Sequence, residues 1–300
     1  MLRHQRACSA SLASVVRVGC LVLVLTSAER PDDLYDVSYY ASVEGVRSVI
    51  GRIGGANQRL PPVDVDRREA THNRTSLMMC GMYEPDDVLV STAGHDQMDD
   101  DCRQIAEMFH GAGANMRAVD AYGWDALHHA SVRGFTRFCE YLVASAGLSV
   151  DSRDSDGTTP LMKAAAHGFA ATAEMLFARG ADYRLLDGEG RSAMHLAVQL
   201  AVLNASYVPF LSRLTKSIPV DALDSYNRSL LHYSIIGRGS DKVARVLLAR
   251  GADPTAVDAY GIRASEMTRS DEMRRLIAEA SAAWAERQHQ AWLLTASEDL

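Results

Sequence analysis

Residues 154–182 read DSDGTTPLMKAAAHGFAATAEMLFARGAD, and this stretch decides how the rest of the chain is parsed. Asp154-Ser-Asp-Gly157 has the composition of a tight turn, because Asp can bond its own backbone and Gly accepts a positive φ. Thr159-Pro160 then opens a helix at the one place where Pro costs little, since the N–H there has no intrahelical partner. Helix one runs Leu161–His167 and stops at Gly168, a residue suited to a left-handed cap. Helix two carries Ala173, Leu176 and Phe177 on one face at helical spacing and ends at Gly180-Ala181-Asp182.

Working outward, the turn recurs as Asp120-Ala-Tyr-Gly123, Asp187-Gly-Glu-Gly190, Asp224-Ser-Tyr-Asn227 and Asp258-Ala-Tyr-Gly261. The Gly or Asn positions, with Gly157, are separated by 34, 33, 37 and 34 residues. Leu127, Leu161, Met194 and Leu231 keep the same phase, each followed three residues later by Ala130, Ala164, Ala197 or Ser234, which are small enough to let helices approach closely. A helix pair of this size cannot bury its apolar face alone, so the units must stack.

These residues resemble the ankyrin repeat family. The stretch from Asp154 follows that family's D-x-x-G-x-T-P-L-H-x-A-A-x-x-G pattern closely. Gly123–Gly134 (GWDALHHASVRG), Gly190–Ala197 (GRSAMHLA) and Val243–Asp253 (VARVLLARGAD) follow it in part. The resemblance implies an all-α ankyrin-repeat solenoid, with about seven helix-turn-helix repeats and short β-turn tips over residues 34–280. Tyr39–Asn57 is expected to be a first repeat lacking its turn, with Thr75–Gly81 and Asp101–Asn115 the two helices of a second. Leu77 and Leu127 are 50 residues apart, so an acidic loop insertion over 82–100 is expected inside that second repeat. Leu200–Ile218 lacks a Gly cap and contains Pro209, and residues 281–300 are expected to form a C-terminal capping helix or tail.

Residues 1–28 hold no Asp or Glu and pass from Arg3 and Arg6 through Arg17 into the apolar run Val18–Leu25, then Thr26-Ser27-Ala28. This is the order of a secretory leader cut after Ala28. A mitochondrial presequence or an extra packed helix fits the same residues. A membrane contact is expected only through this segment if it is retained, and the location is secretory if it is removed, cytoplasmic otherwise. Asn73, Asn204 and Asn227 head N-x-Ser/Thr sequons, which acquire sugar only in the secretory pathway.

His195 and His232 fall at the family's T-P-L-H position, with His128 in the same phase, and the resemblance implies structural hydrogen bonds there. The histidines come one per repeat without paired Cys or carboxylates at ligand spacing, which disfavours a metal site. Cys80 and Cys102 flank the insertion. They either clip its base in an oxidising compartment or stay, with Cys139, as free thiols. The insertion carries Glu84, Asp86, Asp87, Asp96, Asp99 and Asp100 without the D-x-D-x-D-G order of a calcium loop.

The turn tips are the expected partner-binding strip. Tyr122, Asp156, Glu189, Tyr226 and Tyr260 stand just before the turn Gly or Asn, and Trp124, Arg191 and Arg228 just after it. In ankyrin arrays the tips and first helices engage partner proteins, and aromatic and Arg side chains suit interface anchors.

The chain has 300 residues, 47% hydrophobic and 23% charged, near the averages of globular proteins. A net charge of −7 argues against a nucleic-acid-coating protein. No phosphate-binding loop, dinucleotide fingerprint, H-E-x-x-H, G-x-S-x-G or paired C-x-x-C occurs, so neither catalytic residues nor a cofactor or small-molecule substrate is expected. The expected function is a non-enzymatic protein-binding module. The alternatives are a substrate-recruiting subunit of an enzyme or ubiquitin-ligase complex, and a secreted effector using the same surface.

Overall fold

The computed structural model describes residues 64–80, 92–236 and 240–298, together with Val43, Val46 and Arg47. The expected leader, the rest of the expected first repeat and residues 82–91 of the expected insertion lie outside these. The chain divides into two units, Met1–Ala130 with Phe135–Leu148, and Ser131–Gly134 with Ser149–Leu300.

In the first unit, Arg68 and Thr75 pair as an isolated antiparallel bridge. Residues 75–80 then make a single turn, closed where Met78 and Met79 N–H donate to the Thr75 carbonyl. This is shorter than the helix expected there, although Leu77, Met78, Met79 and Cys80 are all buried. Helices α1 (Thr92–Gly111), α2 (Ala126–Arg133, whose last turn falls in the second unit) and α3 (Thr136–Ala144) follow.

The expected loop over 82–100 is corrected at its C-terminal half, because residues 92–100 are the opening turns of α1. The cause is a periodicity that the acidic composition hid: Asp99, Cys102, Ile105, Ala106 and Phe109 share one buried face. Burial of Asp99 is offset by the N–H groups of Arg137 and Phe138, which its carboxylate accepts at 2.9 Å each. Phe135, the residue at the head of α3, supplies no side-chain cap of its own, so a carboxylate from α1 supplies one.

The second unit holds α4 (Pro160–Ala166), α5 (Ala170–Ala178), α6 (Ala193–Leu203), a 3₁₀ turn (Ala205–Tyr207), α7 (Val208–Ser217), α8 (Leu230–Ile235), α9 (Asp241–Ala249), α10 (Ala264–Met267) and α11 (Asp271–Glu298). They form two layers. The first helices α4, α6, α8 and α10 pack each on the next, and the second helices α5, α7, α9 and α11 do the same. Leu161, Met194 and Leu231 are buried in the first layer beside Ala164, Ala197 and Ser234, as the phase of the repeat required. Ser234 can sit there because its hydroxyl donates to the Leu231 carbonyl at 2.7 Å.

Local chemistry sets the helix ends. Thr159 Oγ1 accepts the Met162 N–H, Pro160 takes the first turn of α4, and Gly168 closes the helix at φ 80°. A Cβ on Gly168 would lie 2.6 Å from the Tyr207 ring, so the position needs Gly for space as well as for φ. Pro209 sits in the first turn of α7, where the missing N–H is harmless. Met273 and Ile277 of α11 close the core around Leu231, Ile235, Ala244 and Ala264. That helix continues unbroken past residue 281, so the expected break between array and tail falls inside one element.

Among the described residues there is no strand, only isolated bridges at Arg68–Thr75, Leu223–Ser229 and Val257–Arg263. No described helix is long and apolar enough to cross a membrane.

Candidate partner-binding site

One geometry builds five of the described tips. Asp120, Asp154, Asp187, Asp224 and Asp258 are buried, and each turns a carboxylate oxygen inward to accept the N–H groups two and four residues ahead. For Asp224 these are Tyr226 and Arg228, at 2.8 Å each, and for Asp258 they are Tyr260 and Ile262, at 2.9 Å each. The Asp N–H donates to the carbonyl four residues on, and Gly123, Gly157, Gly190, Asn227 or Gly261 completes the turn at positive φ. Asn does so at modest cost, because its short polar side chain tolerates the left-handed region.

Within the second unit the tips are also tied to each other. Gly188 N–H donates to Asp156 O at 2.7 Å, Ser225 N–H to Gly190 O at 3.0 Å and Ala259 N–H to Tyr226 O at 2.8 Å. In the first unit Ala121 N–H donates to His72 O at 2.8 Å.

This frame sorts the expected residues by position. The side chain two after the Asp stands outward: Tyr122 is 53% exposed, Tyr226 47% and Tyr260 74%, and Asp156 and Glu189 are exposed as well. The side chain four after the Asp is drawn back in three of the tips, while Ile262 stays exposed. Trp124 packs on His128 and His129, with ring centroids 6.3 and 5.1 Å away. Arg191 pairs with Asp187 and Glu189 at 2.9 Å each. Arg228 pairs with Asp224 at 2.7 Å and lies over the rings of Tyr226 and Tyr233. Trp124, Arg191 and Arg228 therefore brace the tips and are half-buried there.

Val119, Leu223 and Val257, each just before the turn Asp, are nearly half exposed and were not singled out in the sequence. Their signal was there, in the repeated V-D-A-Y-G, L-D-S-Y-N and V-D-A-Y-G. With Ile262, they make the tips at 223–227 and 257–262 of the second unit a run of exposed apolar side chains.

The electrostatics keep the Asp224–Arg228 pair charged. Burial by itself would raise the Asp224 carboxyl. The backbone and side-chain bonds from Arg228 and the Tyr226 N–H outweigh it and hold the group below the usual range. Burial and the same carboxylate push the Tyr233 phenol, which donates to Asp224, up to about 12.

Two family models match the chain: one described as Ankyrin repeats (3 copies), over residues 97–187, and one described as Ankyrin repeat, over 226–259. The chain is an ankyrin repeat protein. The crystal structure of the Bcl-3 ankyrin repeat domain superposes with a TM-score of 0.60 at 21% identity, covering 80% of this chain and 95% of that one. The human ASB11 ankyrin repeat domain gives 0.58 at 17%, covering 82% and 96%. At these identities the likeness speaks for the ankyrin fold alone.

Among curated proteins, the Arabidopsis thaliana E3 ubiquitin-protein ligase KEG is 30% identical over 128 residues, and the Gallus gallus nuclear factor NF-kappa-B p105 subunit 29% over 156. Those matches take in 42% and 50% of this chain but 8% and 15% of the relatives.

The ankyrin histidines take the structural role the resemblance implied. His195 Nδ1 is 2.7 Å from Ser192 Oγ and its Nε2 is 3.1 Å from the Arg228 carbonyl, one repeat on. His232 repeats this with Ser229 and the Ile262 carbonyl. His128 replaces the serine with Asp125, at 2.8 Å. Burial lowers the His195 pKa, which favours the neutral ring that this bonding uses. Cys80, Cys102 and Cys139 are buried and in no disulfide, and burial followed by the neighbouring Cys80 thiol pushes Cys102 well up. Among the described residues no three His, Cys, Asp or Glu side chains gather as a metal would need.

Proposed function

We propose that this ankyrin repeat protein is a non-enzymatic recognition module that binds a partner protein through its turn tips. Tyr226 and Tyr260 are the anchors in the second unit and Tyr122 the anchor in the first. The observation that carries this reading is the outward placement of large apolar side chains on a braced backbone. Tyr226 and Tyr260 are exposed on consecutive tips that are hydrogen-bonded to each other, with Leu223, Val257 and Ile262 beside them. Rigid aromatic side chains lose little entropy on binding and supply much of the energy at interfaces. Asp156 and Glu189 on the intervening tips add carboxylates that select against acidic partners.

A photoreactive phenylalanine analogue at position 226 or 260, in the protein's own cells, tests the reading against a control at the exposed Arg179 of the second unit. A discrete cross-linked product is expected from the tip positions and not from the control. Products from the control alone would place the interface elsewhere.

A further inference from the structure

The binding reading leaves the three sequons unused, and the structure separates them. In two, the hydroxyl that sugar transfer requires is locked in the fold: Thr75 is buried, and Ser229 is buried with its Oγ 2.8 Å from His232 Nδ1. A sugar on Asn227 would also sit on the tip beside Tyr226.

Asn204 differs. It follows α6, which has 11 residues against 7 in α4, and the turn Ala205–Tyr207 comes next. This segment contributes the extra length between Gly190 and Asn227. Asn204 and Ser206 are both exposed. The Asn204 side-chain oxygen accepts the Ser206 N–H at 3.0 Å and the Ser206 hydroxyl at 2.8 Å. The sequon is thus already folded into an Asx turn with its hydroxyl on the Asn carboxamide. Two donors on that oxygen draw electron density from the carboxamide and ease loss of an Nδ2 proton. The neighbouring Leu203 is 79% exposed, and a sugar one residue away would cover it. The site lies at the far end of α6 from the 187–191 tip, about 16 Å along the helix at ~1.5 Å per residue.

We propose that Asn204 carries an N-linked oligosaccharide. Asn204 Nδ2 attacks C1 of a sugar held on a polyprenyl-diphosphate donor. The N–C1 bond forms, the C1–O bond to diphosphate breaks, polyprenyl diphosphate leaves, and the amide proton passes to a base of the transferase. Residues 1–28, read as a leader, would bring the chain to that enzyme.

The test is glycopeptide and intact-mass spectrometry of the full chain, expressed with its own start in a eukaryotic cell line, before and after peptide-N-glycosidase. Wild type and Ser206→Thr are expected to carry one sugar chain on the Asn204 peptide, and Asn204→Gln and Ser206→Ala none there. An unmodified Asn204 peptide in wild type overturns the proposal. The same chain behind a leader of proven secretion then locates the failure. Modification only there means a competent sequon in a protein that never meets the transferase, and modification in neither overturns the geometric argument as well.

Discussion

Asp120 is buried, and burial raises a carboxyl's pKa. The His129 side chain and the N–H groups of Trp124 and Tyr122 outweigh that and hold Asp120 at about 2. His129 moves the other way from a basic partner's habit: burial lowers it, and Asp120 only partly offsets the loss. Both folded values lie below the unfolded ones, so both contributions are present at neutral pH and are lost on acidification. The His129 contribution fades as pH falls below about 6.5, and that of Asp120 between about 4 and 2. The second step is worth about 2 kcal/mol at 1.36 kcal/mol per pKa unit. Urea midpoints measured from pH 7 to pH 2 should show both steps, and Asp120→Asn should shrink the lower one, to which Asp224 also contributes. An unchanged slope below pH 4 in that variant would mean that Asp120 does not hold the turn. At this scale the sequence supplied residue type without direction. The Asp and Gly of the turn are readable because backbone chemistry dictates them, whereas the bracing contacts of Trp124, Arg191 and Arg228 are not, because residue type alone does not say which way a side chain turns.

Helix phase is the feature that a single sequence carries best. Leu161, Met194 and Leu231 were placed in the core by spacing alone and are all 1% exposed or less. Leu161→Asp should lower stability by several kcal/mol, because it buries a charge without a partner. Thermal melting would show this, and an unchanged midpoint would refute the phase. Gly168→Ala is a sharper test of one junction. It forces a Cβ to 2.6 Å from the Tyr207 ring at φ 80°, and should cost about 1–3 kcal/mol. Pairing it with Tyr207→Ala should recover the steric share and leave the backbone share. The start of α1 was unreadable for the opposite reason. Its acidic run resembles a solvated loop, and the partners that bury Asp99, the N–H groups of Arg137 and Phe138, lie nearly forty residues away.

Stacked repeats touch only their neighbours, so stability within the second unit should be graded along the chain. The phase of the repeats was legible because each unit repeats the same demand on its residues. The tips' particular surface was not, because those side chains face solvent and no packing rule constrains them. The grading makes a prediction about cooperativity. Met273 is 1% exposed and packs with Leu231, Ile235, Ala244, Ala264 and Ile277. Met273→Ala removes a buried side chain at the last helix–helix contact and should cost about 2–3 kcal/mol there. In a strictly two-state unit the loss would reach every amide equally. In a nearest-neighbour array it should fall mainly on α8 to α11 and fade through α6 to α4, which do not pack against α11. Native-state hydrogen exchange read helix by helix distinguishes the two. Equal loss of protection in α4 and α9 would mean that the second unit unfolds as one block, and that its tips are held by the whole unit instead of by the repeats on either side.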